Sequence, residues 1–405
     1  MIHPLSLCAR VLFGVAAPML GMAQPAIAQG NPIELRLLSP TLQSESVRAR
    51  TLSTAGVVVL DELDIPRLRG WDQILVARRD GVEGLTSQIA QVPGPDLVGW
   101  AVLADGQRHR VWPTPPASAD PDVLDVTLAD GTEWGIPLES LRALIFWSDP
   151  ADTVSDIDDT VRLANGDAVT GFIESIGDTV IVDSTRVPLD RVASITLANP
   201  SEPATVMLVD LADGSVVGAR SISPTDHGRL SIELQLTGHN PQTSSPRLVV
   251  DREDLRAIRP VNQTASLLPM AALSLRSYAP LGGRRWTPPP SASTRRAPAG
   301  LRWIDFPGPM EAVYDLPAGA TWFCADATVA FGEWSEVSVE LLIERPGGER
   351  ESLATVNLDH GSATDTLRAR LPDDAVRLVI RIDAGERGPV QDRVLLRSAA
   401  LVIEN

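Results

Sequence analysis

Four times along this chain the same short phrase returns. Leu-Ala-Asx-Gly stands at Leu103–Gly106, Leu128–Gly131, Leu163–Gly166 and Leu211–Gly214, each time just after an apolar run. Asx-Gly tolerates the positive φ of a tight hairpin, so each copy marks a reversal between two short strands. A second phrase closes each unit: Ile136 to Leu144, Val187 to Ile195 and Val250 to Ile258, with a fainter copy at Ile65 to Leu68 followed by Ile74 to Val76. The stretch Val161–Ala198 holds one complete set of these parts. There Pro188 removes a backbone donor, which predicts a one-turn 3₁₀ connection before a last strand, Val192 to Leu197. Self-similarity at a period of about 20–50 residues marks an array of supersecondary units. Four such units are expected, each curling its strands around an apolar centre of its own.

The Gly-Asp turn, the Gly-x-Ile strand and the Ile-Pro-Leu-x-x-Ile close resemble the small SH3-like or Sm-like barrels, over roughly half the chain. The resemblance implies fold and no function. The predicted architecture is all-β: tandem small SH3-like barrels followed by a jelly-roll β-sandwich. Its parts are a signal peptide at 1–28, barrel modules at 29–97, 98–150, 158–198 and 204–262, a linker or start of the sandwich at 263–298, and the sandwich at 299–405.

The leading residues read as an export signal. Arg10 precedes an apolar stretch from Val11 to Leu20, and Ala26-Ile27-Ala28 forms a small-residue cleavage site before Gln29. No later segment has the uninterrupted apolar length of a membrane helix. A periplasmic or extracellular protein of bacterial type follows, without a transmembrane segment after cleavage. The formal charge of −17 opposes nucleic acid and anionic lipid as partners. All 35 basic residues are arginine.

No catalytic motif is present: no Gly-x-Ser-x-Gly elbow, no phosphate-binding glycine loop, no His-Glu-x-x-His. No catalytic residue, metal ligand or cofactor is therefore assigned. Asp149, Asp152, Asp156, Asp158 and Asp159 crowd the segment 148–160, but without the glycine and closing glutamate of a calcium loop they read as an acidic linker. His227 and His239 fall in turns without a third ligand at a usual spacing. Cys324, the only thiol after residue 28, reads as a small buried hydrophobe.

Between Asn262 and Pro298 the periodicity breaks at Pro288-Pro289-Pro290. Beyond it Trp303, Tyr314, Trp322, Phe323, Phe331 and Trp334 cluster in a chain otherwise poor in aromatics. Most of these are expected in a sandwich core. Val313 to Ala320, Phe323 to Phe331, Val337 to Glu344 and Arg377 to Gly385 together are similar to the NPCBM/NEW2 family of carbohydrate-binding modules, some of which are attached to family 98 glycoside hydrolases. The resemblance implies a galactose-binding-like jelly roll. Where that family carries Gly-x-Gly-x-His this chain has Gly300-Leu301-Arg302-Trp303-Ile304, and of a closing Asp-His-Ala-Asp-Trp run only Asp392 is kept. Trp303 and Asp392 are thus the candidate residues of a retained sugar site. Two functions stay open: an exported non-catalytic binding or scaffold protein of the cell envelope with an envelope-protein partner, and a carbohydrate-binding protein acting on polysaccharide through the jelly roll.

Overall fold

A computed structural model describes residues 32–404, apart from 80–97, 114–119, 129–130, 147–157, 203, 226–228, 237–245, 262–263, 296, 330–335 and 386–391. The expected signal peptide, His227 and His239, and Asp149, Asp152 and Asp156 lie outside the described residues. So do Phe331 and Trp334. The chain is all-β: among the described residues every helical segment is a three-residue 3₁₀ turn.

The first unit has β1 (Ile33–Leu38), β2 (Ser44–Ser53), β3 (Gly56–Leu60), β4 (Pro66–Gly70) and β5 (Val76–Arg79). The second has β6 (Gly99–Leu103), β7 (Arg108–Pro113), β8 (Val123–Leu128), β9 (Glu133–Pro137) and β10 (Leu141–Ile145). The third has β11 (Thr160–Leu163), β12 (Ala168–Thr170), β13 (Ile173–Ile176), β14 (Thr179–Val182), β15 (Thr185–Pro188) and β16 (Val192–Thr196). The fourth has β17 (Met207–Leu211), β18 (Val216–Pro224), β19 (Arg229–Leu234), β20 (Arg247–Asp251) and β21 (Leu255–Arg259).

One pairing pattern runs through all four. The opening strand pairs with both the second and the closing strand, and a 3₁₀ turn precedes the close at Trp71–Gln73, Leu138–Ser140, Leu189–Arg191 and Arg252–Asp254. The second strand must therefore bend from one partner to the next. In the first and fourth units it does so at register shifts between Ala49 and Thr51 and between Ala219 and Ser221. In the third it breaks at Gly171, where a Cβ would lie 2.1 Å from Asp183 Oδ2.

The expectation that each unit has a private apolar centre is corrected. One contiguous core runs from Leu35 through Leu144 and Ile195 to Ile258. The reason is edge pairing: β10 joins β16 through Leu144 opposite Ile195, β5 joins β21 through Ala77 opposite Ile258, and β7 touches β18 through Arg108 opposite Val216. Joining edges satisfies ladder groups that would otherwise be open, and brings the inner faces together. The spatial order is consequently first, fourth, second, third, not the order of the sequence.

The sandwich is formed by β22 (Ala265–Pro269), β23 (Leu275–Pro280), β24 (Ser291–Ala292), β25 (Ile304–Phe306), β26 (Met310–Asp315) and β27 (Ala320–Val329), followed by β28 (Glu336–Glu344), β29 (Arg350–Asp359), β30 (Thr364–Arg370), β31 (Arg377–Ala384) and β32 (Val394–Glu404). One sheet runs β24-β25-β32-β27-β30 with β22 also on β32, and the other runs β23-β26-β31-β28-β29. The stretch 265–292 thus supplies strands to both sheets. Phe306, Tyr314, Phe323 and Ile380 fill the space between them.

The sandwich is docked on the first and fourth units. Val76 and Ala257 pack with Ala299, Leu301 and Ala400, and Leu42 and Leu75 pack with Ala265 and Val402. Asp210, itself buried, ties the fourth unit to the backbone N–H of Ala299 and lies 3.3 Å from Arg259 Nε. Burial pushes its carboxyl above the ordinary value, against Arg259 and that N–H.

Candidate functional site

The docking leaves a cleft of about 810 Å³ between the first unit and the sandwich. A concave space of that size falls in the range of small-ligand sites, roughly 300–1,000 Å³. One wall comes from β1, the β1–β2 turn and β5. The other comes from β27, β30 and β32. Its uncharged polar lining is made of hydroxyl and amide side chains: Ser39, Gln43, Ser44, Ser46, Gln73, Thr366 and Ser398. Leu38, Leu42 and Leu301 form apolar floor.

Four arginines complete the lining: Arg36, Arg69, Arg78 and Arg368. Each is held by a neighbour. Arg36 lies 3.6 Å from Asp326, Arg69 lies 3.5 Å from Glu45, Arg78 donates to Ser398 Oγ, and Arg368 donates to the carbonyl of Thr41 while stacking on Trp322. Thr366 Oγ1 donates to Asp326 at 2.9 Å, which fixes that carboxylate on the wall. Cys324 also lines the cleft and is half-buried rather than fully enclosed. Burial, with Asp326 adding to it, pushes its thiol up to about 11, so it carries little thiolate.

Trp303 and Asp392 lie elsewhere and apart from each other. The register places Ile304 opposite Leu396 and Phe306 opposite Val394, so Trp303 faces Arg397 while Asp392 lies beyond the other end of the pairing. Five residues along a strand span about 17 Å. Trp303 is half-buried, with Arg397 Cζ 5.6 Å from its ring centroid, two residues from the cleft residue Leu301.

Asp392 is 1% exposed, and among the described residues neither carboxylate oxygen has a hydrogen-bond partner. Burial pushes its carboxyl up to about 6, against the Arg284 charge and with help from Glu336. Arg284 reaches this end of the sandwich by bonding to the carbonyl of Pro307 and crossing Gly308, where a Cβ would lie 2.2 Å from Nη1. The sequence signal for it was the Gly282-Gly283 turn, whose positive φ values turn the chain just before Arg284.

Of the aromatics expected in the core, Tyr314 and Phe323 are buried there, whereas Trp303 and Trp322 are half-buried beneath arginines. In the segment 148–160, Asp159 is structural: its carboxylate accepts from the N–H groups of Ile173 and Ala198. Among the described residues no three His, Cys, Asp or Glu side chains are grouped to hold a metal. No helix among them is long and apolar enough to cross a membrane.

No family model and no curated protein matches the chain. Solved structures similar to it include carbohydrate-binding modules, and one of them also holds the M60 catalytic domain of Clostridium perfringens ZmpB. The CBM51-2 and INT domains of Clostridium perfringens ZmpB, in complex with GlcNAc, are 13% identical over 48% of this chain, with a TM-score of 0.28. This chain spans 43% of that structure's length. The CBM51 of Clostridium perfringens GH95, in complex with methyl-galactose, is 14% identical, with 34% of this chain and 99% of that one covered and a TM-score of 0.26. A family 6 carbohydrate-binding module is 15% identical over 35% of this chain and 92% of its own, with a TM-score of 0.21.

Proposed function

We propose that this chain is an exported, non-catalytic carbohydrate-binding protein whose ligand occupies the cleft between the first barrel-like unit and the sandwich. The observation that carries this reading is the lining: hydroxyl and amide groups from Ser39, Gln43, Ser46 and Thr366 alternate with arginine donors over a small apolar floor. A sugar presents many hydroxyls that both donate and accept, so dense, fixed polar groups around a shallow apolar surface suit it better than an apolar ligand or a peptide backbone. The resemblance of the last strands to NPCBM/NEW2 points the same way. The four units then support the sandwich and supply the second wall; among the described residues no feature marks a separate scaffold role.

A glycan array probed with the full chain tests the reading. Removal of residues before Ala299 would delete β22, β23 and β24, so the isolated C-terminal piece is the wrong reagent. Retention on at least one glycan is expected, with loss in Ser44→Trp, which fills the cleft from the first unit. Absence of retention on every glycan would falsify the proposal.

A further inference from the structure

The charge of the cleft is opposite in sign to that of the chain. Acidic residues outnumber basic ones 52 to 35 overall. In the cleft, Arg36, Arg69, Arg78 and Arg368 face only Glu45 and Asp326 among the carboxylates of the lining. Because every basic residue here is arginine, the residue type carries no information; the local excess does. Arg368 is held through a neutral acceptor, the Thr41 carbonyl, and those bonds orient the guanidinium without cancelling its charge. The Arg69–Glu45 pair lies at the mouth with both side chains about half exposed, where an ion pair is weak and readily exchanged.

Resting on the carbohydrate reading above, we infer that the cleft selects an anionic oligosaccharide, one whose sugars carry carboxylates. A guanidinium fork matches a carboxylate bidentately, and such charge-assisted bonds are stronger than those to hydroxyls. The surrounding hydroxyl and amide groups then serve the sugar ring. Arg69 exchanges Glu45 for the ligand carboxylate, and Glu45 acts against binding. The acidic remainder of the surface repels a polyanion, so recognition is confined to a short stretch that fits the cavity.

Calorimetric titration of the full chain with tetragalacturonate and with neutral galactotetraose is the test. The uronate is expected to bind at least about tenfold more tightly than the neutral oligomer, and less tightly as salt rises. Arg69→Gln should weaken uronate binding by about tenfold, whereas Glu45→Gln should strengthen it several-fold; both side chains are exposed enough to be replaced without loss of folding, which thermal melts verify. Equal affinity for the two oligomers, or Arg69→Gln and Glu45→Gln leaving uronate affinity unmoved, would overturn the inference. Binding of the neutral oligomer alone would overturn the anionic selectivity and leave the carbohydrate reading standing; binding of neither would count against both.

Discussion

Arg368 of the sandwich donates two hydrogen bonds, 3.0 and 2.8 Å long, to the main-chain carbonyl of Thr41 in the first unit, across 327 residues of sequence. Its guanidinium also lies 4.5 Å from the Trp322 ring centroid. One side chain therefore both braces the docking and lines the cleft.

Arg368→Ala should weaken that docking. Loss of a charge-assisted pair at a partly exposed position costs about 1–2 kcal/mol. Urea unfolding followed by tryptophan fluorescence should show a lower midpoint. Arg368→Lys, which keeps the charge but not the fork, should recover only part of it. An unchanged midpoint in the alanine variant would mean the bracing is not energetically significant.

Asp392→Asn should stabilise the protein at neutral pH. The folded carboxyl, pushed up to about 6, sits above its unfolded value. Its ionisation therefore opposes folding: there is no penalty below about pH 4, a growing one between about pH 4 and 6, and the full one above. The variant should gain on the order of 1–3 kcal/mol at pH 8 and nothing at pH 4. Melting curves at the two pH values decide it; an equal shift at both would exclude ionisation as the cause.

Glu311→Gln should have the opposite pH dependence. Burial pulls this carboxyl upward, but hydrogen bonds from Arg350 and Arg381 at 2.8 and 2.9 Å outweigh it and hold the group below the ordinary value. A depressed folded value stabilises the protein above the unfolded one and is lost as pH falls. The substitution should cost about 1–2 kcal/mol at pH 7, with wild type and variant converging in acid below about pH 4. A constant difference across the titration would refute this account.

Gly166→Ala should cost about 1 kcal/mol through the backbone alone. Its φ is +94° and a Cβ there meets nothing within 4 Å. Gly56→Ala should cost more, because its Cβ would lie 2.0 Å from the Arg69 carbonyl oxygen. Equal unfolding midpoints for the two variants would contradict the distinction.

The repeated Asx-Gly turns were legible because the requirement they meet is local: Gly106, Gly131, Gly166 and Gly214 all have positive φ, and each stands at the tip of a reversal. The 3₁₀ turn at Leu189–Arg191 was equally legible from Pro188. The stretch 265–292 was harder to read. β22 and β23 are short and largely exposed on one side, so their apolar pattern is faint beside the prolines that follow.

By itself, the amino-acid sequence determined the punctuation of this protein: where strands end, which residues tolerate the turns, and that the material between them is β. Tertiary structure alone decided which edges meet. The pairing of β5 with β21 joins segments about 180 residues apart, and nothing near either strand encodes its partner. The arginine-lined cleft and the desolvation of Asp392 arise in the same way. Both depend on surfaces from distant segments closing together, so their charge balance exists only once the chain has docked.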